Sequence, residues 1–190
     1  MGVLNMDGVS RDWIFPIFDG DTAAIGGQCF VVDTFVFTAA HVIDALSCPY
    51  TIIGGERFSL SKDNACRFMY NHGNDEDCAV FNLPWKSESS MLLADIEGVQ
   101  GKLKCKYVGY VHEENGSLSL QLQSSEAQLV RIEGNAFLCN ASPMMKEGCS
   151  GSPIMTEDGQ VVGMLVGGDD VSVCGFQRGQ YILSLINQNN

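Results

Sequence analysis

The chain has 190 residues and carries 11 lysines and arginines against 23 aspartates and glutamates, a formal net charge of −12. A balance this acidic argues against nucleic-acid binding, because proteins that bind nucleic acids neutralise phosphates with Lys and Arg. Hydrophobic residues make up 45% of the chain, which excludes a disordered polymer. No apolar run approaches the roughly 18 residues of a membrane span, and the first residues lack the basic and apolar segments of a signal peptide.

The eight cysteines leave two interpretations open. Their even number is compatible with a disulfide framework, but the chain is not short and shows no export signal. No two of them form a C-x-x-C pair, so a zinc site would lack its usual clustered ligands. We favour eight reduced thiols, mostly buried, and we expect neither a metal nor an organic cofactor.

Short apolar runs broken by turn residues every 8–12 positions predict an all-β fold. In the first half, residues 29–32 and 35–38 flank Asp33-Thr34 and predict a hairpin. Residues 39–46 predict one short helix. The polar stretch 86–90 is the best candidate for a linker between two strand-rich halves.

The second half shows the same pattern. Residues 106–111 and 118–122 flank Asn115-Gly116, a pair favoured in hairpin turns, and residues 128–132 alternate like a half-buried strand. Residues 153–155 and 161–166 flank a further turn signal and predict another hairpin. The C-terminal residues 180–187 are compatible with a short helix or a strand.

Three local patterns carry the candidate chemistry, in this order along the chain. His41 ends the run Thr38-Ala39-Ala40-His41, just after a predicted strand. Asp77 begins the apolar run Asp77-Cys78-Ala79-Val80. Ser150 lies between Cys149 and Gly151 in Gly148-Cys149-Ser150-Gly151-Ser152-Pro153.

These residue types fit nucleophilic catalysis. A serine hydroxyl needs a base within hydrogen-bond reach, and histidine is suited to that role because its unperturbed pKa is about 6.5. A carboxylate on the other ring nitrogen fixes the tautomer and stabilises the imidazolium. Gly148 allows the backbone N–H groups of Gly148 and Ser150 to converge on an oxyanion. We therefore predict His41, Asp77 and Ser150 as catalytic residues, with Gly148 and Ser150 as the oxyanion hole.

Each of these assignments has a competitor, and for His41 on its own it is a purely structural role as a buried histidine. Asp77 competes with Asp75 and Glu76, since a run of charges is usually a solvated turn, but only Asp77 directly precedes the apolar run. Ser150 competes with Cys149, whose thiol is intrinsically the better nucleophile, but the glycine frame centres on Ser150. The other two histidines, His72 and His112, are interpreted as surface or turn residues.

The motifs T-A-A-H, D-x-A-V and G-x-S-G-x-P, in this order, resemble those of chymotrypsin-fold serine proteases across residues 26–166. This resemblance implies two antiparallel six-stranded β-barrels with the active site in the cleft between them. Residues 1–86 would form the N-terminal barrel with the His and Asp, residues 87–100 the linker, and residues 101–190 the C-terminal barrel with the Ser, the oxyanion hole and the substrate pocket.

The subgroup is indicated by what the chain lacks. It has no Ile-Val-Gly-Gly activation start, and Val42 replaces the cysteine that follows the catalytic His in secreted digestive enzymes. Residues 150–154 and 159–163 are similar to the arterivirus and torovirus main proteases, and to the flavivirus and astrovirus serine proteases. The resemblance implies an enzyme released from a viral polyprotein, cutting that polyprotein in the host-cell cytoplasm. The alternatives are a cellular HtrA-like protease and a non-catalytic binding module on a protease fold.

The expected substrate is an extended peptide that adds as a strand along Val166, Gly167 and Gly168. Related viral enzymes that select Gln or Glu often carry a His in a G-x-H pattern, but here the matching stretch is Gly163-Met164-Leu165. A pocket lined by Met144, Met164 and Leu165 would favour an apolar or unbranched side chain. If Asp169 and Asp170 line the rim, a basic group is favoured instead. The oligomeric state and the role of residues 1–25 stay open.

Overall fold

The structure is a computed structural model of the chain. It describes residues 13–20, 22, 24–71, 76–84, 102–112, 115, 118–133, 136–142, 148–167 and 173–178.

The first half forms one antiparallel sheet of seven strands in the order β5-β4-β1-β2-β3-β7-β6. One helix, α1 (Ala40–Ala45), and a 3₁₀ turn at Lys62–Asn64 lie between the strands. The strands are β1 (Ile14–Asp19), β2 (Ile25–Val32), β3 (Phe35–Thr38), β4 (Pro49–Ile53), β5 (Glu56–Ser59), β6 (Arg67–Asn71) and β7 (Glu76–Asn82).

The second half forms a closed barrel of six antiparallel strands in the order β10-β13-β12-β11-β8-β9. Its strands are β8 (Lys102–His112), β9 (Leu118–Glu133), β10 (Ala136–Ser142), β11 (Pro153–Met155), β12 (Val161–Gly167) and β13 (Val173–Arg178). The turn that carries Ser150 lies directly before β11.

One hydrophobic core joins the two halves. Phe30 on β2 and Phe37 on β3 are fully buried, face each other across the ladder and stack with ring centroids 5.7 Å apart. Met155 and Met164, from the barrel, belong to the same buried cluster as these phenylalanines. Because the core is continuous, the sheet and the barrel hold each other in place at the boundary where the candidate site lies.

The structure confirms the all-β prediction and the three predicted hairpins. The hairpins β2–β3, β8–β9 and β11–β12 all form where turn residues predicted them, and the short helix forms within the predicted range. Residues 128–132 are strand, but as the second half of the long β9 rather than as a separate element. The predicted linker, 87–100, and the C-terminal segment, 180–187, lie outside the described residues.

The first half differs from the six-stranded barrel that the resemblance implied. It is one sheet of seven strands, and residues 49–59 form one of its hairpins, β4–β5. Ile53 pairs with Glu56, and the two-residue turn between them has positive φ at both Gly54 and Gly55. Two glycines in a row fit such a turn well, since its backbone twist matches that of the flanking strands.

Within the described ranges, every helix is too short or too polar to cross a membrane.

Candidate active site

His41 is placed by the end of β3 and the start of α1. β3 ends at Thr38, and His41 is the second residue of the helix. On the same helix Ala40, Val42 and Ile43 are buried, which fixes the orientation of this short element against the sheet. The His41 side chain keeps 30% of its surface exposed, so a substrate can reach the ring although its Nδ1 is bound to Asp77.

Asp77 accepts two hydrogen bonds from His41. Its Oδ2 lies 2.6 Å from His41 Nδ1, and its Oδ1 accepts from the His41 backbone N–H at 2.9 Å. A carboxylate only accepts, so in the neutral ring the proton resides on Nδ1 and the lone pair on Nε2. The two bonds together fix both the ring and the main chain of His41, and they leave Nε2 available as a base.

The competing acids do not replace Asp77 in this pair. Glu76 is its neighbour on β7, where successive side chains point to opposite faces of the sheet. Asp75 lies outside the described residues. Asp77 lies opposite Tyr70 of β6 in the strand ladder, and the Asp77 side chain is 17% exposed.

Ser150 lies in a tight turn with a positive φ on each side of it, +85° at Gly148 and +88° at Gly151. The Ser152 N–H donates to the Cys149 carbonyl at 3.0 Å and closes the turn. The Gly151 N–H donates to Leu165 O on β12 at 2.7 Å, and the Gln28 N–H on β2 donates to Ser150 O at 2.8 Å. The turn is therefore attached to the barrel on one side and to the sheet on the other.

The two backbone amides expected to form the oxyanion hole differ from the next two amides of the turn in their hydrogen bonding. The N–H groups of Gly151 and Ser152 both donate to carbonyls. The N–H groups of Gly148 and Ser150 donate to no acceptor among the residues that the structure describes. Two unpaired amides that flank a turn of this kind are available to a developing negative charge.

Cys149 and Ser150 have different surroundings. Cys149 is only 4% exposed, and it packs so closely on Gly109 of β8 that a methyl group at Gly109 would lie 2.7 Å from the Cys149 sulfur. Ser150 is half-buried. The thiol therefore lies on the barrel side of the turn, whereas the serine is the residue that a substrate can reach.

Gly27 on β2 lies between the helix that carries His41 and the turn that carries Ser150. A methyl group at Gly27 would lie 2.6 Å from the Val42 side chain and 3.0 Å from Ser150 O. Only a residue without a Cβ lets both elements approach the strand this closely. Sequence reasoning missed this role, although a Gly26-Gly27 pair inside a strand is a recognised signal of close backbone approach.

The predicted substrate-binding residues fall into three groups. Met164 is fully buried and belongs to the core, and Leu165 is 4% exposed. Val166 and Gly167 are half-buried at the end of β12. Met144, Gly168, Asp169 and Asp170 lie outside the described residues. The apolar pocket thus stays a prediction.

Two further buried thiols lie on the sheet, Cys29 on β2 and Cys78 on β7, and burial makes both poor nucleophiles. Burial raises the pKa of the Cys29 thiol to about 12, with a smaller opposing effect from a hydrogen bond with Thr51. Burial, followed by the negative charge of Asp77, raises the pKa of the Cys78 thiol. Within the described part of the chain, no three His, Cys, Asp or Glu side chains cluster closely enough to hold a metal ion.

No protein-family model matches the sequence, and no curated protein matches it by sequence. Solved structures do match. A Glu endopeptidase in complex with MPD has a TM-score of 0.69 at 15% identity, covering 100% of this chain and 95% of its own. Kallikrein-related peptidase 10 has a TM-score of 0.66 at 16% identity, and the match covers 95% of this chain and 96% of the peptidase. The active form of the Rv3671c protease from M. tuberculosis has a TM-score of 0.63 at 17% identity, with 93% and 80% covered. At this level of identity the comparison establishes architecture alone, and the chain has the chymotrypsin-like, all-β fold of these serine proteases.

Proposed function

We propose that the protein is a serine endopeptidase with Ser150 as nucleophile, His41 as general base and Asp77 as the residue that orients His41. The observation that carries this proposal is the double hydrogen bond from His41 to Asp77, next to a turn on which Ser150 is accessible and two amides have no described acceptor. A binding module would need none of these features.

Acylation follows from this geometry. His41 Nε2 takes the proton of the Ser150 hydroxyl while Oγ attacks the carbonyl carbon of the substrate. The carbonyl oxygen becomes an oxyanion and accepts from the N–H groups of Gly148 and Ser150. Asp77 stabilises the imidazolium that forms. His41 then gives the proton to the leaving amine, the C–N bond breaks, and an acyl-enzyme remains on Ser150. A water molecule gives a proton to His41 as it attacks this ester, and His41 passes that proton to Ser150 Oγ as the acyl–oxygen bond breaks, which releases the acid product and the free serine.

The end of β12 supports binding of an extended peptide. β11 pairs with β12 only as far as Met164, and the backbone of Leu165 is bonded to the Ser150 turn. No described strand pairs with Val166 and Gly167 on that side. A substrate added there as a strand would lie beside the nucleophile turn, with its side chains alternating between the cleft and solvent.

The source and substrate of the enzyme form the finer part of the proposal. Release from a viral polyprotein, and cleavage of that polyprotein in the host-cell cytoplasm, are supported by the sequence resemblance at residues 150–154 and 159–163. An HtrA-like cellular protease is the alternative that the same fold accommodates.

A peptide-library digest tests the proposal. The wild-type protein is compared with Ser150→Ala, His41→Ala and Cys149→Ala, and the cut sites are identified by mass spectrometry. We expect Ser150→Ala to lose about six orders of magnitude in kcat, the scale found when the nucleophile of a studied serine protease is removed. Cys149→Ala should keep its cleavage pattern. Cleavage that survives Ser150→Ala and disappears in Cys149→Ala would refute the assignment of the nucleophile.

A further inference from the structure

Gln28 is a buried polar residue whose side chain joins three segments of the chain. It lies on β2 of the sheet and is 0% exposed. Its Nε2 donates to Gly148 O at 2.9 Å and to Tyr110 O on β8 at 3.2 Å, and its Oε1 accepts from the Tyr110 N–H at 3.2 Å. A primary amide has two donors and one carbonyl, and here all of them are used.

This arrangement fixes the nucleophile turn from both ends. The Gln28 side chain holds the carbonyl of Gly148, and the Gln28 backbone N–H holds the carbonyl of Ser150. Peptide groups are planar, so each bond fixes one plane of the turn. The peptide that contains the Ser150 N–H lies between those two planes. Gln28 therefore holds the peptides on both sides of it, while the Ser152 N–H bond to Cys149 O holds this peptide from within the turn.

The neighbouring contacts add rigidity to this connection. The Gln28 carbonyl accepts from the Thr38 hydroxyl at 2.7 Å, and Thr38 is the last residue of β3 before the segment with His41. Gln28 is thus hydrogen-bonded to the start of the His41 segment as well as to the Ser150 turn. A shift of about 1 Å in a reacting group can lower a rate about a hundredfold. A residue that is bonded both to the Ser150 turn and to the segment before His41 can therefore affect catalysis without touching the substrate.

We infer that the Gln28 side chain is a positioning residue, which orients the Ser150 amide and the Gly148 carbonyl and so keeps the oxyanion hole formed in the absence of substrate. This inference rests on the proposed function for its catalytic consequence. The structural part of it concerns the turn alone.

The test compares Gln28→Met with Thr51→Val. Methionine keeps the length of the side chain and removes all three hydrogen bonds. Thr51 is also 0% exposed, and its hydroxyl donates to Pro16 O at 2.8 Å in the same sheet, so Thr51→Val removes a buried hydrogen bond that does not involve the turn. Both variants are measured at a temperature where urea titration shows them to be folded. If Gln28→Met does not fold, Gln28→Asn replaces it, because asparagine keeps the amide but is too short to bridge Tyr110 and Gly148.

We expect Gln28→Met to lower both kcat and the rate of fluorophosphonate labelling about 10- to 100-fold, with KM within about threefold, since one oxyanion donor is worth about 10²–10³ and here it is displaced rather than removed. For Thr51→Val, kcat, KM and the labelling rate should each stay within about threefold of the wild-type value. Equal kinetic losses in the two variants, or a Gln28→Met variant as fast as wild type, would overturn the inference.

Amide hydrogen exchange across residues 148–152 separates this inference from the proposed function. Loss of the side-chain bond to Gly148 O, about 1 kcal/mol, should make the two hydrogen-bonded amides of the turn, those of Gly151 and Ser152, exchange about fivefold faster in Gln28→Met than in Thr51→Val. Unchanged exchange would contradict the positioning role whether or not the enzyme is active. A wild-type protein that is neither labelled nor active would refute the proposed function, and the exchange result would still decide the role of Gln28.

Discussion

Substitution of Gly151 by alanine should damage both the fold and the site. Gly151 has φ +88°, and a Cβ there would lie 2.1 Å from the Gln28 carbonyl oxygen and 2.6 Å from the Thr38 hydroxyl. The optimal separation of such atoms is about 3.5 Å, so the turn or β2 must move by about 1 Å. That movement displaces the bond from the Gln28 N–H to Ser150 O, which is 2.8 Å long.

Gly159 provides a matched control. Its φ is +86°, and a Cβ there would meet nothing within 4 Å. Gly159→Ala therefore measures the backbone strain of a positive φ alone, about 1–2 kcal/mol. Gly151→Ala adds overpacking of about 1–3 kcal/mol, so its free energy of unfolding should fall by about 2–5 kcal/mol in total.

Urea denaturation of the two variants measures this difference. We expect Gly151→Ala to unfold at a clearly lower urea concentration than Gly159→Ala, and to label with a fluorophosphonate far more slowly at temperatures where it is folded. If the free energies of unfolding of the two variants agree within about 0.5 kcal/mol, the scale of a neutral surface substitution, the turn does not pack against β2 as described.

Three further outcomes follow. Asp77→Asn should lower kcat about 10⁴-fold, as the loss of the orienting carboxylate does in a studied protease, whereas its neighbour variant Glu76→Gln should keep nearly full activity in the same peptide assay. Burial raises the pKa of the Cys29 thiol to about 12 from 9.0, so its contribution to stability is intact below pH 9 and is lost as the pH rises toward 12. Between pH 8.5 and 10.5 the free energy of unfolding of the wild type, measured by urea titration, should thus fall by about 2 kcal/mol more than that of Cys29→Ala. Equal falls in the two proteins would contradict this. Iodoacetamide at pH 8 should modify Cys48, which is exposed, much faster than the buried Cys78, as peptide mass spectrometry can show.

The parts of the molecule that could be predicted from the sequence are those encoded by neighbouring residues. The hairpins follow from apolar alternation around short turns, and the run that ends in His41 follows β3 as expected. The choice of Asp77 over Glu76 also depended on local order, because only Asp77 directly precedes the apolar run of β7. Each of these features needs only a few consecutive side chains to specify it.

The contacts that assemble the site could not be predicted in the same way. Gln28 meets Tyr110 and Gly148 across 82 and 120 residues of chain, and nothing local to β2 indicates either partner. A buried glutamine and a polar surface glutamine look alike in a single sequence. No strand was predicted within residues 49–59 either, because β5 is short, mostly exposed and carries a single apolar residue.

The most direct measurement is the site of covalent labelling by a fluorophosphonate, read by peptide mass spectrometry. The fold brings His41 and Asp77 into hydrogen-bond contact and leaves Ser150 accessible. We expect one adduct, on Ser150, formed rapidly in the wild type, slowly in His41→Ala and not at all in Ser150→Ala. An adduct on any other residue, or equal labelling in Ser150→Ala, would contradict the assignment of this chain as a serine endopeptidase.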